Sequence, residues 1–197
     1  MAKKIPKIVK EIRNNPPSPV NYAYQKNVSF SQMSIFRGCP HRWKLQYKDK
    51  IKRFTSSIHT VFGTAMHESM QYYLDYAYDK SFAAADRDTF LVGCEIPIVI
   101  APNKMLNNVL YMGYLDVVTY HEETGTFKII DIKTSTKGWN DYAKKDEDKQ
   151  YQLLLYKQFF SEQYGIPLDK IEIEFFILKR KVLDMDDENI MSPYQAY

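Results

Sequence analysis

Thr126-Phe127-Lys128-Ile129-Ile130-Asp131-Ile132-Lys133 is an apolar run that closes on a carboxylate and an ammonium two residues apart. Its β-branched and aromatic content predicts a strand over Thr126–Lys133. Strand side chains alternate with period two, so Asp131 and Lys133 share one face about 6–7 Å apart. Just upstream, Glu122-Glu123-Thr124-Gly125 is a turn of hairpin length with a glycine available for positive φ, and Val109–Tyr120 reads as the partner strand. With residues 122–125 as the loop, His121 faces Thr126. Counting outward then brings Asp116 opposite Asp131, with Cβ atoms about 4.5–5.5 Å apart.

Two bare carboxylates at that spacing repel by about 3 kcal/mol at an effective dielectric near 20. A cation, a shared proton or wide solvent exposure would relieve them. A divalent metal does so best, and oxygen ligands of this kind suit Mg²⁺ or Mn²⁺, with the Ile132 carbonyl as a further oxygen. The register is decisive, because a bulge or a loop one residue longer would move the aspartates out of opposition. Taken alone, Asp131-x-Lys133 is better read as an ordinary exposed pair at a strand end.

Further along the chain, Asp146–Tyr164 carries Leu153, Leu154, Tyr156, Lys157, Phe160 and Tyr164 at helical spacing and is stopped by Gly165-Ile166-Pro167. Gln152 and Tyr156, four residues apart, share one face of that helix. Thr134–Lys145 is a polar loop, and Ile171–Leu178 alternates as a strand. Upstream, Phe90–Ile100 has strand composition, with Pro97 marking an edge or a bulge, and Glu95 on it is expected in an edge salt bridge. Gly63-Thr64 is expected to begin a helix whose Ala65, Met66, Met70, Tyr73, Leu74 and Ala77 form its apolar stripe.

Ser29 and Ser31 are candidate caps for a helix through Arg37. Gly38-Cys39-Pro40 breaks it before a second helical stretch from His41 to about Lys48. The expected fold is therefore α/β (α+β), a mixed central sheet flanked by helices with an N-terminal helical module. Residues 1–28, with five Lys/Arg and three prolines among their first 17 positions, read as a flexible or surface-draped basic arm with little core, and 29–197 as one domain.

The chain of 197 residues, 45% hydrophobic and 15% aromatic, can close one core, which excludes bulk disorder. No stretch approaches the roughly 20 apolar residues of a membrane span, so no membrane partner is expected. The N-terminus has no apolar signal region, and a reducing cytoplasm is the expected home. With Cys39 and Cys94 as the only cysteines, neither a disulfide framework nor a four-thiolate cluster can be built. Net charge is +3, concentrated in the first 13 residues and in the run from Arg37 to Arg53. That run holds Arg37, Arg42 and Lys44 interleaved with Trp43, Tyr47 and Phe54. It suits a nucleic-acid backbone with bases stacked on rings, or else a solvated helix face. Trp139, after Lys133, is a second stacking candidate. Asp184–Glu188 is an acidic, solvated patch.

In order, Ser29-Phe30-Ser31 with Cys39-Pro40, Gly63-Thr64 with His67, Gly113-x-x-Asp116, Asp131-x-Lys133 and Gln152-x-x-x-Tyr156 resemble the RecB-like and phage-exonuclease branch of the PD-(D/E)XK nuclease superfamily, from about Ser29 to Lys181. The resemblance implies a restriction-endonuclease-like core and a Mg²⁺- or Mn²⁺-dependent deoxyribonuclease. It implies an exonuclease of recombination, repair or replication in phage or bacterial DNA, acting in the host cytoplasm if phage-encoded. By the same resemblance His67, Asp116, Asp131 and the Ile132 carbonyl hold the metal, and Asp116, Asp131 and Lys133 are catalytic. Gln152, Tyr156, Arg37, Arg42, Trp43 and Lys44 contact DNA. DNA is the implied partner, with a recombination or single-strand-binding protein as a further one. The alternatives are a non-cleaving recombination-accessory protein on the same fold and a site-specific endonuclease. Relatives that hold an iron–sulfur cluster do so with four cysteines, so none is expected here and Cys39 is expected to be a small buried residue.

Overall fold

The computed structural model describes residues 4–18, 26–51, 58–82, 88–100, 109–135, 140 and 144–179. Trp139, the Asp184–Glu188 patch and the end of the basic run at Lys52 and Arg53 lie outside the described residues. The elements in chain order are helix α1 (Lys7–Asn14), strand β1 (Asn27–Val28), helices α2 (Phe30–Gly38) and α3 (Pro40–Trp43), a π-helical turn (Lys44–Lys48), helix α4 (Ile58–Phe82), strands β2 (Thr89–Ile100), β3 (Leu110–His121) and β4 (Thr126–Ser135), helix α5 (Glu147–Tyr164), a 3₁₀ turn (Leu168–Lys170) and strand β5 (Ile171–Lys179). The expected α/β fold with a mixed sheet is what the chain adopts. Among the described residues no helix is long and apolar enough to cross a membrane.

β3 is the centre of the sheet. β2 runs antiparallel along one edge of it, from Thr89↔His121 to Ile100↔Tyr111. The other edge is shared: β4 pairs antiparallel over Val117–His121, and β1 pairs parallel with Leu110 and Tyr111. Between them, Met112 to Asp116 has no strand on that side among the described residues. β4 turns away there and continues parallel to β5 from Phe127↔Ile171 to Ser135↔Lys179. The sheet is thus opened at Asp116, which is where a site can form.

The main core lies between the sheet and α5, where Leu153, Tyr156 and Phe160 pack with Ile98, Leu115, Phe127 and Ile129. A thinner cluster of Leu91, Val117 and Ile132 lies under Met70 and Leu74 of α4. Leu115 and Val117, two residues apart, belong to different clusters. The strand's facing therefore changes at Asp116. The outer edge of β2, which carries Pro97, is covered from α5: Gln163 Oε1 accepts from the Val99 N–H at 2.8 Å and its Nε2 donates to the Pro97 carbonyl at 3.0 Å. Those two bonds blunt this stretch of the edge against pairing with another strand.

Three expectations need correction. Residues 1–28 are not a coreless arm: α1 buries Val9 and Ile12 in the main core, with Ile5 and Ile8 packed against it. The i, i+3, i+4, i+7 spacing of Ile5, Ile8, Val9 and Ile12 is that of an amphipathic helix, masked in the sequence by the flanking lysines and prolines. Gly63 does not begin a helix, since α4 starts at Ile58. Its value is close approach, because a Cβ there would lie 3.3 Å from Thr134 Oγ1 of β4. Cys39 is exposed rather than buried, and its Sγ caps α3 by accepting from the Arg42 N–H at 3.4 Å.

Candidate active site

The hairpin register is the expected one, from His121↔Thr126 to Val117↔Ile130, with the loop at 122–125 and Gly125 at φ +64°. The ladder stops one pair short of Asp116 and Asp131. In place of the next backbone bond, the Ile132 N–H donates to Asp116 Oδ2 at 2.7 Å. A strand residue's N–H and C=O project to the same side. The Ile132 carbonyl therefore faces the Asp116 side too, away from β5.

Asp131 is 3% exposed, the one buried charged residue among the described residues. Lys133 Nζ lies 2.7 Å from its Oδ2, out of hydrogen-bond alignment, so charge alone holds that oxygen. Burial, and then the Asp131 carboxylate beside it, push the Asp116 carboxyl up to about 6, against the opposing pull of the Ile132 N–H, His67 and Lys133. His67 projects from α4 with Nδ1 3.7 Å from Asp116 Oδ2.

On the other side of the opening, Lys133 Nζ donates to Gln152 Oε1 at 3.5 Å, and Gln152 Nε2 donates to Tyr156 Oη at 3.1 Å. Burial raises the Tyr156 phenol above its usual range, and the two aspartates add to the effect. It stays protonated at neutral pH. The glycines of the motifs now have a physical role. A Cβ on Gly113 would sit 3.1 Å from Tyr156 Cε1, so glycine lets the ring lie against β3.

The structure thus joins His67, Asp116, Asp131, Ile132, Lys133, Gln152 and Tyr156 in one chain of contacts. Among the described residues no group of three or more His, Cys, Asp or Glu side chains meets at metal-ligand spacing, so His67, Asp116 and Asp131 do not close into a single cage. The donor chemistry still suits a hard cation. Asp131 has a buried oxygen without an aligned donor, Asp116 resists ionising beside it, and a backbone carbonyl faces the same gap.

The other expected contacts belong to the helical module. Arg42 and Lys44 are exposed there. Trp43 stacks on Tyr47 with centroids 6.3 Å apart and meets Phe36 edge-on at 5.5 Å. Arg37 is engaged by the protein itself, with Nη2 2.7 Å from Asp148 Oδ1 and the guanidinium 5.6 Å from the centroid of the Tyr151 ring. Glu95, at φ +49°, accepts from Gln71 Nε2 at 2.6 Å, and among the described residues it forms no salt bridge of the expected kind.

Sequence reading missed a cavity of about 1130 Å³ between the helical module and α5, walled by Trp43, Tyr47, Tyr111 and Phe159 and rimmed by Lys26 and Lys48. The Tyr111 hydroxyl is buried without a hydrogen-bond partner. Phe159 stands seven residues from Gln152, two helical turns along the same face, which is the signal that could have found it.

A family model described as the PD-(D/E)XK nuclease superfamily matches residues 27–91, a third of the chain. That supports the superfamily resemblance carried by the motifs. No curated protein matches the chain. Among solved structures, the crystal structure of SSO0001 is similar at 12% identity, covering 88% of this chain and 71% of that one, with a TM-score of 0.42.

Proposed function

We propose that the protein is a divalent-metal-dependent deoxyribonuclease that hydrolyses phosphodiester bonds from DNA ends. The observation that carries this reading is the convergence of Asp116, Asp131, Lys133 and Gln152 where β3 and β4 part. Mg²⁺ or Mn²⁺ would be held by Asp116, Asp131 and the Ile132 carbonyl, with His67 beside them, and when bound it would neutralise the scissile phosphate and acidify a water.

The chain's own groups do the rest. Asp131 holds the Lys133 ammonium at 2.7 Å, and that ammonium offsets negative charge developing on the phosphate. Gln152 accepts from Lys133 while donating to Tyr156, so the hydroxyl fixes the amide's orientation and the amide fixes the lysine. A lysine so held is placed to orient the attacking water and to stabilise charge. The strand reaches the site past Trp43 and Tyr47, whose rings suit unstacked bases, with Arg42 and Lys44 nearby for phosphates.

The test uses end-labelled linear DNA and covalently closed circular DNA, with Mg²⁺ or with EDTA. Degradation of the linear form alone, abolished by EDTA, is expected. Lys133→Ala should lower the rate by roughly two to four orders of magnitude with DNA binding intact. Full activity in that variant would remove the mechanism, and cutting of the circle would make the enzyme an endonuclease. Binding without any cleavage would leave a recombination-accessory role.

A further inference from the structure

Building on the proposed nuclease activity, we infer that the cavity between the helical module and α5 takes unstacked bases of one DNA strand, which makes single-stranded DNA, or the frayed end of a duplex, the substrate. The cavity measures about 1130 Å³. That exceeds the roughly 300–1,000 Å³ of ordinary small-molecule sites, so it has room for more than one base. Trp43 and Tyr47 wall it from the helical module, stacked on each other at 6.3 Å, and Tyr47 stays 38% exposed. Tyr47 stands on the π-helical turn, a rare geometry found mostly at functional sites. Phe159 walls it from α5, backed by the Tyr111 ring with centroids 4.5 Å apart.

The polar groups decide what enters. Lys26 and Lys48, both exposed, stand at the mouth, and Glu162 is the one acidic residue among the described lining residues. Flat apolar walls under two ammonium groups fit an occupant that is aromatic and anionic at once, which a nucleotide strand is at every step. Gln32 and Glu162 offer an amide and a carboxylate to base edges. A closed duplex keeps its bases stacked inside and cannot present them here.

The cavity also lies on the way to the catalytic groups. A Cβ placed on Gly113 would meet Tyr111 Cε1 at 3.4 Å and Tyr156 Cε1 at 3.1 Å, so the cavity wall and the tyrosine that holds Gln152 meet around one glycine. From Gln152 to Phe159 is seven residues, about 10 Å along α5. That is about three nucleotides of a stacked strand at 3.4 Å each. A strand with its scissile phosphate at Lys133 therefore brings its next few bases to the cavity.

Trp43 is the reporter, because Trp139→Phe leaves it as the only tryptophan. In EDTA, with cleavage off, a mixed-sequence oligonucleotide should quench Trp43 saturably and bind roughly 10-fold or more tightly than a blunt hairpin with the same number of phosphates. Tyr47→Ala should weaken the strand about 5- to 100-fold and leave the hairpin unchanged, and Tyr47→Phe should restore it. Lys48→Ala should weaken both alike. An abasic site moved along the oligonucleotide should cost affinity at a few neighbouring positions only. Equal binding of strand and hairpin, wild-type strand affinity in Tyr47→Ala, or an abasic cost that is the same everywhere would each overturn the pocket. Quenching by an acidic, apolar peptide in place of the oligonucleotide would make it a protein-docking site instead. Silence toward both would mean that the chain's own remaining residues fill it. Because binding is read without metal, a chain that binds in this way but never cleaves with Mg²⁺ would sink the nuclease reading and leave the pocket standing, whereas an active enzyme whose Trp43 ignores the strand would sink the pocket alone.

Discussion

Helices α4 and α5 flank the same sheet and do opposite work. α5 buries Leu153, Tyr156 and Phe160 in the main core, which also takes Val9 and Ile12 of α1. Among the described residues α4 covers the smaller cluster of Leu91, Val117 and Ile132, through half-buried Met70 and Leu74, and leaves several larger apolar groups exposed. The difference teaches that stability resides on the α5 side, while the α4 side places one imidazole beside the opening of the sheet. Phe160, fully buried, should cost about 3–5 kcal/mol as Phe160→Ala, whereas Leu74→Ala should cost about 1–2 kcal/mol because its site is already half open. Urea denaturation at low protein concentration checks this, and equal costs would mean that the two layers carry equal weight.

The next effect down concerns the gap between the layers. Asp116, held up to about 6 chiefly by burial and by Asp131, keeps its proton in the native state after the unfolded chain has released it. Between about pH 4 and pH 6 the native state therefore binds more protons, and stability falls as pH rises through that window. Without divalent metal, Asp116→Asn should be more stable than the wild type by on the order of 1–3 kcal/mol at pH 8 and nearly equal to it at pH 4. The difference between the two melting curves, taken in EDTA, isolates this group from the other carboxylates. A difference that stays flat with pH would show that Asp116 ionises freely.

What was legible in the sequence follows the same division. The hairpin was readable down to its register, because a four-residue turn and period-two alternation leave one way to pair Thr126–Ile130 with Val117–His121. The Gln152 and Tyr156 pairing was readable because i, i+4 positions of a helix must meet. α1 was hidden, since its three apolar residues, Ile8, Val9 and Ile12, sit among charged ones and pack on a core built from distant segments. The ladder's end before Asp116 was hidden too. It depends on β1 and β4 sharing one edge of β3, which no local pattern encodes. Tyr73, which recurs at helical spacing with Met70 and Leu74, is exposed, because periodicity locates a helix's apolar sides without saying which one meets the sheet.

The smallest effect lies where the helical module meets α5. Asp148, in the first turn of α5, accepts from Ser34 Oγ at 2.7 Å through Oδ2 and pairs with Arg37 through Oδ1, also at 2.7 Å. Arg37 is more than half exposed and Asp148 partly so, and the solvent-screened ion pair is worth about 0.2–1 kcal/mol, with the Tyr151 ring adding a contribution of similar size. Arg37→Ala should therefore lower global stability by no more than about 1 kcal/mol while loosening α2 locally. Amide exchange over Phe30–Gly38 should speed up several-fold, with Leu153–Phe160 of α5 unchanged. Arg37→Lys, which keeps the charge but not the planar fork, should fall between the two. If α2 exchanges at the wild-type rate in Arg37→Ala, then Phe30 and Met33, packed against the main core, hold the module in place and the polar latch only sets its angle.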